Sequence, residues 1–139
     1  MFSIFAVNWW AVLVSGVAYF VIGAVWYGIF GTAWMKGIGK TRDQIQQNPV
    51  QYIVSLVAEI GVAVILAVVF RAFGALSPDL PFGVFDGIFV ATLMWGAFSL
   101  LPAIVHYAYE GKTFSLLVIN KGYDFLGFNV AAIILTVWK

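Results

Sequence analysis

The sequence has no cysteine, a single histidine, and only seven Lys or Arg and six Asp or Glu among its 139 residues. Without cysteine there are no disulfides, thiolate nucleophiles, iron–sulfur clusters or cysteine-bound zinc sites. His106 alone cannot build a multi-histidine metal site, so neither a metal nor any other cofactor is expected. Charged residues make up 9% of the chain, too few to cover the surface of a soluble domain of this length. A net charge of +1 without a concentrated basic stripe gives no footprint for nucleic acid. Residues 1–10 contain no Lys or Arg, and no small-residue cleavage motif follows the apolar run. The first segment is therefore expected to remain as a membrane span rather than to leave as a signal peptide.

What the chain has is apolar length. Hydrophobic residues make up 63% of it, aromatic residues 18%, and the mean hydropathy is +1.01. A helix needs roughly 20 apolar residues to cross the hydrocarbon core, and four stretches qualify: residues 5–30, 50–73, 82–107 and 114–138. The expected fold is an all-α integral membrane protein: four transmembrane helices in an antiparallel bundle, forming one domain over residues 1–139. Trp9 and Trp10 open the first span, Trp26, Tyr27 and Trp34 close it, and Trp138 ends the last, as interfacial aromatic belts do. Residues 31–49 read as a polar loop. Within it Thr41-Arg-Asp-Gln44 has capping-box spacing and predicts a short extramembrane helix running through Gln47. Pro49 then opens the second span. Lys36, Lys40, Arg42 and Lys112 lie on one side against Arg71 and Lys139 on the other. This bias places the first loop in the cytoplasm and both termini outside.

Glu59, Lys121 and Asp124 fall inside spans, where each charge costs roughly 2.5 to 3.5 kcal/mol at the helix centre. Counted from the first-loop side at 1.5 Å per residue, they lie roughly 12 to 16 Å deep, and Ser99 reaches the same level. The four are expected to form one intramembrane polar layer, with Glu59 paired to Lys121. Helical spacing aligns Gln51, Ser55 and Glu59, and also Thr113, Asn120, Asp124, Gly127 and Ala131; Trp95, Ser99, Pro102 and His106 share a face of the third span. Pro102 leaves the Phe98 carbonyl without its donor and should kink that span. His106 is the one further proton-linked candidate, though a solvated role near the interface is the more ordinary reading. Asn8 and Asn120 read as helix-packing hydrogen-bonders. Ala11, Ser15 and Ala18 form one small-residue face of the first span, and Gly16, Gly23 and Tyr27 another. One is expected to serve the bundle, leaving the other for a second protomer.

Several short segments carry a family resemblance: Asn8-Trp9, Gly23-Ala-Val-Trp-Tyr27 with Phe30-Gly31 and Trp34, Asn48-Pro49, His106-Tyr-Ala-Tyr-Glu110 and Ile119-Asn-Lys-Gly-Tyr123. In this combination the chain resembles the bacterial membrane domain-of-unknown-function family seventeen-sixty-one. The resemblance covers about residues 8–138. It implies four spans in a bacterial inner membrane and supplies no activity or site residue. Lys121 and Asp124 depart from the more neutral or His-bearing family pattern.

No nucleophile–base pair, phosphate-binding glycine loop or metal set is present, so an enzyme is not expected. The leading expectation is a structural or accessory membrane protein that self-associates or docks on a larger membrane complex. The alternative is a small proton- or cation-linked transporter or channel using Glu59, Lys121 and Asp124. Residues 60–70 carry no charged or hydrogen-bonding side chain, and beyond Asp124 the fourth span offers only Asn129 and Thr136. A continuous hydrophilic path across one protomer is therefore not expected, nor is Glu59-dependent flux.

Overall fold

The structure, a computed structural model, describes residue 3 and residues 6–139. Its four long helices are each long and apolar enough to cross a membrane, and there is no strand among the described residues. The chain is a multi-pass membrane protein. Helix α1 spans Trp9–Ile38 and α2 Pro49–Leu76. The third span is α3 at Val84–Trp95, a π-helical segment at Gly96–Leu100 and α4 at Leu101–Glu110; α5 runs Phe114–Val137. Residue 5, the expected start of the first span, lies outside the described residues.

Local chemistry fixes the ends. The Asn8 side chain accepts from the Trp10 and Ala11 amides and so satisfies free donors at the start of α1. Asn48 does the same for the Val50 amide, with Pro49 at the first helical position of α2. At the other end of α1, Gly39 adopts φ 69° and the Gly39 and Lys40 amides bond back to Lys36 and Met35. This left-handed cap is the stop signal, and glycine takes it without strain. The first span thus runs eight residues past Phe30, because Gly31-Thr-Ala-Trp-Met-Lys-Gly-Ile still reads as helix. The polar loop shrinks accordingly. The expected short helix is only a 3-10 turn at Arg42–Gln44, held by the Gln44 side chain accepting from the Thr41 amide at 3.0 Å.

Helix α5 is the centre of the bundle. It packs against α1 on one flank and α3 on the other, while α2 lies against both α1 and α5. Small residues set the distances. A Cβ at Gly127 would overlap the Tyr19 ring, one at Gly16 would overlap Ile60, and one at Gly23 would come within 3.1 Å of Tyr123. Ala11 and Ser15 are fully buried, and Ala18 is half-buried on the neighbouring turn. Both small-residue faces of α1 are therefore used inside one chain: Ala11 and Ser15 are buried, while Gly16 meets Ile60 of α2 and Gly23 meets Tyr123 of α5. The expectation that one of them would remain for a second protomer is corrected: close approach of α1 to two neighbours consumes both.

The apolar core is one-sided. Val12, Ala63, Leu66, Phe70, Ala91, Ala131 and Leu135 form a buried cluster, all in the half that carries the two chain ends. In the first-loop half, residues 50–55 of α2 are exposed, as are most residues of α4.

The π-helical segment takes the place of a simple proline kink. The Leu101 amide donates to the Gly96 carbonyl five residues back, just ahead of Pro102. One extra residue in the turn rotates everything after it by about 100°. The inward face beyond Ser99 is consequently Ala103 and Tyr107, whereas Pro102 and His106 are exposed. A shared stripe of Trp95, Ser99, Pro102 and His106, drawn on uniform helical spacing, does not survive this shift.

Candidate functional site

Three helices bring polar side chains together at mid-depth. On α5 the order Asn120, Lys121, Tyr123, Asp124 places polar groups around most of one helical turn, so each must meet a different neighbour. Asp124 accepts from three of them. The Tyr19 hydroxyl of α1 donates to Oδ1 at 3.1 Å, while the Ser99 hydroxyl at 2.8 Å and the Lys121 ammonium at 2.7 Å share Oδ2. Lys121 also donates to Ser99 at 3.2 Å, closing a triangle. The π-helical segment is what turns Ser99 toward it.

Glu59 lies apart from that triangle. Its Oε1 accepts from the Tyr123 hydroxyl, its Oε2 has no partner, and the residue is only 7% exposed. Among the described residues, ion pairs join Lys121 to Asp124 and Lys112 to Glu110. The expected Glu59–Lys121 pair is therefore corrected. Lys121 and Asp124, three residues apart on one helix, are already neighbours before any tertiary packing, and that short-range pairing takes the ammonium.

A second cluster lies nearer the first loop. The Tyr27 hydroxyl donates to Asn120 Oδ1 at 2.7 Å, and Asn120 Nδ2 donates to the Tyr107 hydroxyl at 2.7 Å. Asn120 thus links α1, α4 and α5. The indoles of Trp26 and Trp95 donate to the Ile119 and Lys121 carbonyls of α5, at 2.8 and 2.9 Å. These bonds tether α1 and α3 to the same turn. At the corner after α4, the Lys112 ammonium bonds Glu110 and sits 5.0 Å above the Tyr107 ring. The hydrogen bond from Lys112 to Glu110 raises the lysine above its ordinary range. His106 stands exposed on α4, away from the mid-depth groups.

The tyrosines form a ladder. Tyr19 and Tyr123 ring centres lie 5.2 Å apart, Tyr123 and Tyr27 5.4 Å, and Tyr27 and Trp34 5.8 Å. Of these, Tyr19 is missing from the sequence reading although it is 3% exposed. The signal was available: Tyr19, Gly23 and Tyr27 repeat at i, i+4 and i+8 on α1, the row that faces α5.

Space accompanies these groups. A cavity of about 670 Å³ under the first loop is lined by Arg42, Gln47, Tyr27 and Tyr52, among others. It shares Tyr27, Gln47, Tyr52 and Ser55 with a second of about 530 Å³ that reaches Glu59 and Tyr123. A third, of about 330 Å³, begins from the same Ser55, Glu59 and Tyr123 and ends at Ser99 and Asp124. The three make one crevice between α1, α2 and α5, leading from the first loop to the charged groups. Beyond it the chain-end half holds the buried apolar cluster, with one unpartnered hydroxyl at Ser15 and a cavity of about 440 Å³ between α2 and α3 that shares no lining residue with the crevice. Thr136 bonds its own helix carbonyls, and Thr92 donates to Asn129 at 3.2 Å.

Three of the segments that carry the resemblance, Gly23–Tyr27, His106–Glu110 and Ile119–Tyr123, thus converge through Trp26, Tyr27, Tyr107 and Asn120. The sequence profile described as "Protein of unknown function (DUF1761)" matches residues 10–136. The chain belongs to this family. No curated protein matches it, and no solved structure does. Membership in the DUF1761 family assigns no role to the crevice.

Proposed function

We propose that this chain is a membrane-embedded binding protein that serves as an accessory or sensing component. It admits a small solute from the first-loop side and holds it near Glu59 without passing it across. The observation that carries this reading is the contrast between the two halves: a crevice lined by Gln47, Ser55, Tyr27 and Tyr123 leads to a buried carboxylate with an unpartnered oxygen. Past that point lie the packed Ala63, Leu66, Ala91 and Ala131. An unpaired buried carboxylate oxygen is costly unless something occupies it, and the apolar cluster beyond it favours retention of that occupant over passage. The positive charge of Lys36, Lys40, Arg42 and Lys112 supports a cytoplasmic first loop in a bacterial inner membrane.

The natural absence of cysteine makes the test direct. Single cysteines at Ser55 and at Leu66 are placed in otherwise unchanged protein and treated with a membrane-impermeant thiol reagent. Ser55→Cys is expected to react and Leu66→Cys to remain unmodified, with no Glu59-dependent proton or cation flux in liposomes. An unreactive Ser55→Cys would sink the reading. A steady flux that titrates with pH and disappears in Glu59→Gln would instead favour a proton- or cation-linked carrier. That second reading has one feature in its support: the π-helical segment beside Ser99, where α4 could pivot.

A further inference from the structure

We propose that the crevice takes an organic ammonium ion, held between the carboxylate of Glu59 and the aromatic faces of Phe20, Tyr27, Tyr52 and Tyr123. The proposal rests on the binding reading above and adds the chemical class of the ligand.

Charge supplies the first argument. Lys121 is bound to Asp124, so those two groups neutralise each other. Glu59 is left with a tyrosine hydroxyl on one oxygen and nothing on the other. When ionised, it is an uncompensated negative charge, 7% exposed, and a cation is the complement that restores balance.

The walls decide what kind of cation. Small inorganic ions need several oxygen ligands to replace their water, yet no group of three or more His, Asp or Glu that could hold a metal ion occurs among the described residues. In the cavity that reaches it, Glu59 is the single carboxylate, so an inorganic cation would meet one anionic ligand. What the cavity offers instead is ring surface. Phe20 and Tyr52 meet edge to face at 6.5 Å, and Tyr27 and Tyr123 at 5.4 Å, with Glu59 on the same wall. Aromatic faces attract cations that carry apolar substituents and little tightly held water. The volume of about 530 Å³ suits an organic molecule, and Gln47 at the first-loop end gives a polar way in.

The experiment uses the full chain in nanodiscs with tetraethylammonium as the probe, followed by calorimetry and thermal melting. Choline and its uncharged isostere 3,3-dimethylbutan-1-ol serve as competitors. Tetraethylammonium is expected to bind and raise the melting temperature, and choline to displace it where the alcohol does not. Glu59→Gln should weaken binding by about tenfold or more. Tyr52→Leu should weaken it by about threefold or more while Tyr52→Phe retains it. Tyr52 is 53% exposed, so these two variants spare the packing and decide the matter even if Glu59→Gln fails to fold. Absence of tetraethylammonium binding, equal displacement by the alcohol, or binding indifferent to both Glu59 and Tyr52 would overturn the proposal. The two readings fail separately: a reactive Ser55→Cys without ammonium binding removes only the ligand class, whereas an unreactive one removes the crevice itself.

Discussion

At the scale of single residues, Asp124 holds the site together, because its two oxygens collect donors from α1, the π-helical segment and its own helix. Replacing it by asparagine strands the Lys121 ammonium. The expected loss of stability is about 2 kcal/mol, below that of a fully buried pair because each partner keeps 21% exposure. Asp124→Asn combined with Lys121→Met should cost less than the sum of the two single changes, measured by unfolding in detergent. Strict additivity would mean that the pair is not coupled. A steric counterpart lies at Gly127, where any Cβ overlaps Tyr19. Gly127→Ala should lower stability by about 1 to 3 kcal/mol. Gly28→Ala meets nothing within 4 Å and should be neutral or better. Equal melting temperatures for these two variants would contradict the close approach of α1 and α5. The sequence marks Glu59, Lys121 and Asp124 because charge inside an apolar run is conspicuous. It does not reveal their partners, since depth along a helix says nothing of direction around it, and tyrosine reads as ordinary apolar mass until its hydroxyl finds an acceptor.

At the scale of elements, helix length was legible wherever apolar runs met a strong stop. Asn48-Pro49 and Gly111, with φ 66°, mark ends found close to where they were expected. The end of the first span was less legible because Gly31 and Gly37 resemble stops yet sit inside α1, while Gly39 takes the positive φ. The third span hid its π-helical segment altogether, for Gly96-Ala-Phe-Ser-Leu100 carries no signal that separates one extra residue from a proline kink. That residue makes a measurable prediction. Deleting the exposed Ala97 should convert the segment to α-helix and leave Tyr107 facing Asn120, because the π-helical turn absorbs one inserted residue. With cysteines at positions 107 and 120, a short bis-maleimide should bridge the parent chain and the deletion variant alike. Loss of cross-linking in the deletion variant would show that the π-helical segment does not absorb the extra residue ahead of α4.

At the scale of the whole molecule, the four-span layout followed from composition alone, because a chain with so few charges has only the bilayer as solvent. The uneven distribution of packing did not, since it depends on which neighbours each helix meets. The chain-end half holds the buried core and a separate cavity of about 440 Å³ between α2 and α3, whereas the first-loop half holds the crevice and the exposed stretches of α2 and α4. A scan of single cysteines down α2 should therefore show a boundary: polar thiol reagents reach positions 51, 55 and 58 but not 63, 66 and 67. Uniform reactivity along the helix would mean water passes through. The same unevenness has a mechanical meaning. A tuning fork is rigid at its stem and yields at the tips of its prongs, and here α2 and α4 are prongs whose outer lengths are tied to the bundle by the Phe20–Tyr52 ring contact and the Asn120–Tyr107 hydrogen bond. Lateral pressure in a bilayer differs between leaflets and with acyl-chain shape, so lipids that crowd the first-loop leaflet should squeeze the prongs together, and thinner or looser ones should let them part. Lipid composition thereby becomes a dial on the width of the crevice.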